Sequence, residues 1–183
     1  MKKYILTFCI LVAGLLNVKG QADNVFTTVP VTNGKVIFQE FIHTDQSLTP
    51  DQKYAILYKW GKDNYAGNPL LSGIRFDDKA RTITVSSKAN LGSGNEKIVM
   101  NYRFDASVTN AGCMLTIRDI TYNSEKGKGN SIFPTAYTAE QMITDQTVNS
   151  GDDKELRNST RKATLSYFNG LHGQIKGLFQ TKK

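Results

Sequence analysis

The sequence predicts an α+β domain with an antiparallel sheet. Two helices pack on one face of this sheet: one that follows the first long strand, and a long C-terminal helix. Three observations lead to this prediction. Asn33-Gly34 separates two short apolar segments, Thr49-Pro50 begins a helix pattern, and four alternating segments follow with short Gly, Asn and Asp connections. Strands joined by such short turns run antiparallel. We therefore expect a two-layer domain with one sheet face left open to solvent.

The first elements are predicted to be a hairpin. Asn-Gly accepts the positive φ angles of a tight turn, so a short strand at 29–31 should lead into a longer one at 35–43. Pro30 has no N–H, which confines the short strand to an edge. The longer strand is apolar on both faces, with Val36, Phe38 and Ile42 alternating with Ile37 and Phe41. Either the hairpin covers one side of it, or Phe41 lies on the open face.

A helix and four strands come next. Thr49, Pro50 and Gln52 supply the cap hydroxyl, the N1 proline and the N3 amide of a capping box, which predicts a helix start at 50. Gly67-Asn68-Pro69 predicts that the helix ends at about 65. Its apolar stripe comprises Tyr54, Leu57, Tyr58, Gly61 and Tyr65, widened by Ile56 and Trp60. The four strands are predicted at 72–76, 80–89, 97–108 and 113–122.

The C-terminal third is predicted to be less regular until its end. Segment 123–150 contains a capping-box pattern at Thr138 that predicts a short helix. A long amphipathic helix is expected from about 152 to 179. Residues 23–183 are thus predicted to form a single domain, with its core at 29–122.

The first 22 residues have the pattern of a secretory signal peptide. Lys2 and Lys3 precede an apolar run at 4–16, and small residues follow, so cleavage is expected after Gly20 or Ala22. The run is shorter than the roughly 20 residues of a spanning helix, so no stable membrane span is expected after cleavage. We therefore predict export to the periplasm or the extracellular space, away from nucleotides and the genome.

Removal of this leader changes the charge and the thiol content. The whole chain has 23 basic and 16 acidic side chains, a net charge of +7, and the leader contains three of the basic ones and no acidic one, which leaves +4. The remaining charge is scattered, which favours solubility over nucleic-acid binding. Cys9 leaves with the leader, so Cys113 can form no intramolecular disulfide. Cys113 begins an inward-facing series and is predicted to be buried.

These elements together resemble a known family. An Asn-Gly turn followed by the segment 35–38, a helix that begins at Leu48-Thr49-Pro50 with Trp60 near its end, four antiparallel strands and a final long helix are similar to secreted bacterial proteins of unknown function with a TBP-like (TATA-binding-protein-like) fold. The likeness covers 29–122 in detail. It implies a Gram-negative, gut-type bacterial setting, and it supplies no catalytic residues and no substrate.

The strand alternation predicts which polar side chains share the open face. Inward positions are apolar, and the outward ones form a polar, cationic set: Arg75, Arg103 and Arg118, with Thr84, Ser86, Asn101 and Thr116. A guanidinium fork suits carboxylate, sulfate or phosphate groups of a ligand. The alternative is an ordinary wet sheet face, in which nearby Asp105 and Asp119 pair with the arginines.

Other chemistry has little support in the sequence. His43 and His172 have no neighbouring ligands at metal spacing, and no Gly-x-Ser-x-Gly turn frames a serine. Asp77-Asp78 is interpreted as a turn, and Gly92-Ser93-Gly94 joins two strands, whereas a phosphate loop should open a helix. We therefore predict no catalytic residues, no metal site and no cofactor.

Three functions remain open. The first hypothesis is a non-catalytic binding module that uses the open sheet face or the segment 123–149 to bind an unknown anionic ligand. The second is a structural or assembly protein that contacts an envelope protein. The third is a hydrolase, which would require His43 or His172 in a pocket beside a carboxylate and a hydroxyl. Nucleic-acid binding is suggested only by the name of the fold, which does not determine function.

Overall fold

The computed structural model describes residues 24–67, 69–91, 98–124, 135–149 and 153–180. The predicted leader, the connection at Gly92-Ser93-Gly94 and residues 125–134 of the less regular segment lie outside these residues. The strands are β1 (Val31–Thr32), β2 (Lys35–Val36), β3 (Phe38–His43), β4 (Ser72–Asp77), β5 (Thr82–Asn90), β6 (Ile98–Val108), β7 (Gly112–Ser124) and β8 (Thr135–Thr138). The helices are α1 (Pro50–Tyr65), α2 (Ala139–Met142), α3 (Asp145–Val148) and α4 (Lys154–Leu178).

The Asn-Gly hairpin forms as predicted, but as a sheet of its own. Asn33 and Gly34 have φ angles of 52° and 74°, the positive values of a two-residue turn, and β1 pairs only with β2. The predicted continuous strand at 35–43 is therefore wrong. Its path breaks at Ile37, whose N–H donates to the carbonyl oxygen of Pro30 at 3.3 Å, and only β3 enters the main sheet.

The main sheet has the strand order β3-β7-β6-β5-β4 with antiparallel pairing throughout, and β8 pairs with the far end of β7. β4 and β3 thus lie at opposite edges. The four predicted strands at 72–122 are confirmed within two residues at each end. Strands β4 to β7 form a meander because short connections place each of them beside the next one in sequence, whereas β3 pairs with β7 across a longer stretch of chain.

Helix α1 spans the predicted residues, and it begins at the predicted capping box. The Thr49 hydroxyl accepts from the N–H of Gln52, and the Gln52 side chain accepts from the N–H of Thr49. One feature was not predicted: Lys53 is completely buried, and its Nζ donates to the Asn110 carbonyl oxygen at 2.8 Å. The first turn of α1 therefore lies against the β6–β7 connection.

The described parts of the segment 123–150 contain more regular structure than predicted. β7 continues to Ser124, β8 pairs with residues 121–124, and the short helix expected at Thr138 is α2, followed by α3. Glu140 of α2 accepts the N–H of Val36 at 2.8 Å and so ties the small hairpin to this segment. These contacts join residues distant in sequence, which explains why local patterns did not indicate them.

The helices α1 and α4 cover one face of the sheet. The ring centroid of Phe168 on α4 lies 5.0 Å from that of Phe38 and 5.7 Å from that of Tyr102. The ring centroids of Trp60 on α1 and Phe104 are 6.2 Å apart. The buried core extends beyond the predicted limits of 29–122 at both ends, from Phe26 through α4. Within the part of the chain that the structure describes, no helix has an apolar stretch long enough to cross a bilayer.

The amino-terminal segment is held against α4 by a polar clamp. The Asn169 side chain accepts from the N–H of Phe26 at 2.9 Å and donates to its carbonyl oxygen at 3.0 Å. Asn169 is 5% exposed, so both bonds are shielded from water. These two hydrogen bonds hold Phe26 in the buried core.

Candidate functional site

The arginines predicted for the open face lie there together. Arg75 is on β4, Arg103 on β6 and Arg118 on β7, each at an outward position. In the strand pairing, Arg75 lies directly opposite Thr84, and Arg103 lies directly opposite Arg118. The alternation of the strands is therefore enough to collect side chains from four strands on one surface.

Two adjoining concavities open on this face. The first, of about 370 Å³, is lined by Gly73, Ile74, Arg75, Thr84, Ser86, Arg103 and Arg118. We call it the arginine concavity. The second, of about 380 Å³, lies toward the beginning of β4 and contains Asn101 in its wall; it shares Gly73, Ser86 and Arg103 with the first. Two residues predicted for this face, Asn101 and Thr116, do not line the arginine concavity. The Asn101 amide donates to the Thr121 hydroxyl at 3.4 Å, and the Thr116 hydroxyl accepts from the Gln39 amide at 3.5 Å.

Two carboxylates hold the guanidinium groups in place. Asp105 Oδ2 accepts from Nε and Nη2 of Arg118 at 3.1 and 2.8 Å, and its Oδ1 accepts from the Thr84 hydroxyl at 2.7 Å. Asp119 accepts from Nη1 of Arg118 at 2.9 Å and lies 3.7 Å from Nη1 of Arg103. The pairing expected for an ordinary wet sheet face is therefore present at Arg118.

A β-bulge brings Asp119 to this surface. Opposite Tyr102 of β6, β7 contributes two residues, Asp119 and Ile120, and Asp119 has a φ of 55°. Because of the extra residue, Arg118 and Asp119 both face solvent while Ile120 is buried. Simple alternation would have placed Asp119 in the core, and the sequence contains no glycine that marks the bulge.

The side chains of Arg103 and Arg75 make fewer hydrogen bonds and ion pairs than that of Arg118. Nε of Arg103 donates to the Ser86 hydroxyl at 3.2 Å, and its side chain is 44% exposed. Within the described residues, the Arg75 side chain has no ion-pair partner. Three guanidinium groups thus face two carboxylates, which leaves this cluster with a net positive charge.

The aromatic residue left open by the sequence lies on the same side of the sheet. Phe41 pairs across the strands with Met114, four residues before Arg118 on β7, and its ring contacts that of His43 at 5.1 Å. Phe41 is half-buried and lies away from the arginine concavity. It therefore belongs to the open face without lining the candidate site.

The histidines and the cysteine lie elsewhere. His43 is exposed at the end of β3, whereas His172 is 4% exposed and contacts the ring of Phe26. Cys113 is completely buried, and this burial raises the pKa of its thiol to about 12. Among the described residues, no three His, Cys, Asp or Glu side chains are grouped closely enough to hold a metal ion.

A group of tyrosines lies between the sheet and the helices that cover it. The hydroxyls of Tyr102 and Tyr167 are 2.7 Å apart, and desolvation raises the pKa of both well above the usual range. Burial likewise raises the pKa of Tyr65 to about 12. These phenols stay neutral at ordinary pH, which is consistent with a packing role.

Sequence reasoning missed three residues of this surface. Lys88 continues the outward series of Thr84 and Ser86 on β5, so the alternation could have identified it. Leu70 and Leu71 precede β4 and line the second concavity at 85% and 56% exposure. No local pattern distinguishes exposed leucines in a turn from buried ones.

Comparison with known proteins shows what fold these residues occupy. No protein-family model and no curated protein matches this sequence. Among solved structures, a TBP-like protein from Parabacteroides distasonis has 20% identity and a TM-score of 0.68, over 85% of this chain and 99% of that one. A DUF4468 family protein from Bacteroides ovatus has 18% identity and a TM-score of 0.69, over 86% of this chain and 93% of that one. The expected α+β architecture is confirmed: the chain has the TBP-like fold found in these two bacterial proteins.

Proposed function

We propose that this protein is an exported, non-catalytic binding module that holds an anionic group of its ligand in the arginine concavity. The observation that carries the proposal is the convergence of Arg75, Arg103 and Arg118 on one recess of about 370 Å³, with the hydroxyl-bearing residues Thr84 and Ser86 in its wall. Guanidinium and hydroxyl donors are the groups that recognise carboxylate, sulfate and phosphate.

The ion pairs give the three arginines different roles. Arg118 is held by Asp105 and Asp119, which neutralise its charge and fix its position in the wall of the concavity. A guanidinium has five N–H donors, and Arg103 uses one of them on Ser86. Arg75 and Arg103 therefore keep donors available for a ligand, and the net positive charge of the cluster attracts an anion.

Two further observations support this proposal, the first concerning catalysis and the second export. His172 is buried against an aromatic ring, and Cys113 is buried with a raised pKa, so neither is available to a substrate on the open face. Export is supported by the basic and apolar pattern of the first 22 residues. The anionic ligand would then be an extracellular or periplasmic compound.

The test is equilibrium binding by calorimetry, with a sulfated oligosaccharide and with inorganic phosphate as probes. We expect the Arg75→Ala/Arg103→Ala/Arg118→Ala variant to bind at least tenfold more weakly than the wild type, because charge-assisted hydrogen bonds are lost. The matched control removes three exposed helix lysines, Lys62, Lys154 and Lys162, which lowers the net charge equally without touching the face. Equal affinities of the arginine variant and the wild type would overturn the proposal.

The cellular location has a separate test. Expression of the full chain in a Gram-negative host, followed by fractionation and mass spectrometry, should give a mature N-terminus at residue 21 or 23 outside the cytoplasm. A retained leader in the cytoplasmic fraction would contradict export while leaving the binding measurement intact.

A further inference from the structure

A turn at the beginning of β4 exposes two leucines on the edge of the open face. Leu70 is 85% exposed and Leu71 56%, and with Val31 they are the large apolar side chains most exposed among the described residues. Both lie in the wall of the second concavity, next to Pro69. We call residues 69–71 the leucine turn. Neighbouring leucines exposed to this extent are typical of an interaction surface.

Two cationic residues border the leucine turn. Lys88 of β5 and Arg103 of β6 line the same concavity, and Lys88 is exposed at an outward position. One carboxylate, that of Asp119, lies in the same wall, where it is close to both Arg118 and Arg103. An apolar pair thus stands beside a surface of net positive charge.

The shape of this surface favours one kind of partner. Apart from the leucine turn, the side chains that reach solvent in this wall are polar or charged, namely Ser72, Ser86, Ser87, Lys88, Asn101, Arg103 and Asp119, so no exposed apolar side chain of the wall covers the leucines. The leucines instead extend into solvent. A protruding apolar pair needs a partner that can receive it, and a lipid bilayer does so at its headgroup boundary.

We propose that the leucine turn, with Lys88 and Arg103, docks the protein reversibly on an anionic lipid bilayer. The leucines would enter the boundary between headgroups and acyl chains, and the two cations would lie at the anionic headgroups. This inference goes beyond the proposed function and shares only Arg103 with it, because neither leucine lines the arginine concavity.

The interaction is weak by its nature. A single myristoyl chain gives only marginal membrane binding, and two leucine side chains carry fewer apolar carbons than that. A lysine or arginine close to an anionic surface strengthens binding about fivefold. Binding should therefore be reversible, depend on anionic lipid and decrease at high salt.

The test is sedimentation of the purified protein with vesicles of phosphatidylcholine alone or mixed with phosphatidylglycerol. We expect binding to the mixed vesicles only, lowered at least about tenfold in Leu70→Ser/Leu71→Ser and about fivefold in Lys88→Gln. Val31→Ser, which removes an apolar side chain that is 53% exposed on the β1–β2 hairpin, is the matched control and should bind like the wild type. Circular dichroism checks that each variant is folded.

The outcomes separate this proposal from the preceding one. If the leucine variant binds vesicles as the wild type does, or if the wild type binds neither vesicle, the proposal is wrong. Concentration-dependent association of the wild type that the leucine variant abolishes would mark a protein interface and would also overturn it. Because the leucines lie outside the arginine concavity, the leucine variant should keep its affinity for the sulfated oligosaccharide whichever result is found.

Discussion

The pair formed by Asp105 and Arg118 offers a quantitative test of the open face. In the Asp105→Ala variant, the carboxylate that accepts two hydrogen bonds from Arg118 and one from Thr84 is removed. A hydrogen bond to a charged group contributes about 1.5–3 kcal/mol when shielded. The two side chains are 36% and 23% exposed, so solvent screening reduces the coupling between them to about 1 kcal/mol.

A double-mutant cycle measures this coupling directly. The wild type, Asp105→Ala, Arg118→Ala and the double variant are unfolded with urea, and the fluorescence of the only tryptophan, Trp60, reports the transition. We expect each single variant to lose about 1–2 kcal/mol and the double variant to lose about 1 kcal/mol less than their sum. Coupling below about 0.3 kcal/mol would refute the view that the carboxylate positions the guanidinium group.

The same variants carry a prediction for binding. Asp105→Ala lowers stability but removes a negative charge beside the arginine concavity, so the affinity for an anionic probe should rise severalfold. Loss of affinity together with loss of stability would indicate that Arg118 must be held in place to bind. The comparison therefore tells whether the fixed position of Arg118 or the total charge of the face matters more.

Three further predictions concern other parts of the fold. Gly112→Ala should destabilise by about 2–3 kcal/mol in urea unfolding, because its Cβ would meet the carbonyl oxygen of Ile42 on the neighbouring strand. The Cys113 thiol should not react with a thiol reagent at pH 8 until the protein unfolds, since burial raises its pKa to about 12. Glu140 should contribute stability at neutral pH that is lost in acid: desolvation raises its pKa, but hydrogen bonds from backbone N–H groups and Thr138 and the charge of Lys35 lower it overall. Urea unfolding from pH 7 to pH 3 should therefore show a steeper loss for the wild type than for Glu140→Gln.

Each of these has a control and a contrary result. Gly173→Ala on α4 meets nothing within 4 Å and should stabilise by about 0.5–1 kcal/mol, so two glycine substitutions should have opposite signs. Rapid labelling of native Cys113 would show that the thiol is reached without unfolding. For Glu140 the folded pKa lies below the ordinary 4.5, so its contribution is complete above that pH and disappears as the pH falls through the folded value. Parallel pH profiles of wild type and variant would contradict this.

Much of the local structure could be predicted because its causes are local. The capping box at Thr49 predicted the start of α1, Gly67-Asn68-Pro69 predicted its end, and Asn33-Gly34 predicted a turn whose φ angles are positive. The alternation in β4 to β7 predicted that Arg75, Arg103 and Arg118 share one face, since successive side chains of a strand point to opposite sides. Each of these inferences depends on residues that are close together in the chain.

The errors have a common cause. β8, the break at Ile37 and the burial of Lys53 all depend on contacts between separate elements: β8 pairs with β7, the N–H of Ile37 donates to Pro30 across the small hairpin, and Lys53 reaches the β6–β7 connection. Lys53 illustrates this, because an isolated amphipathic helix would leave its ammonium group in water. It is buried only because the β6–β7 connection presents the Asn110 carbonyl oxygen at that point.

For this protein, the sequence by itself determined the four strands of the meander, the capped helix, the long C-terminal helix and the set of arginines that face solvent. The tertiary structure decided which of those arginines is neutralised, because the bulge at Asp119 and the register of β6 on β7 place carboxylates beside Arg118 and leave Arg75 without an ion-pair partner among the described residues. Register is a property of paired strands. It is set by the packing of side chains across the whole sheet, where a shift of one residue would exchange the buried and exposed faces.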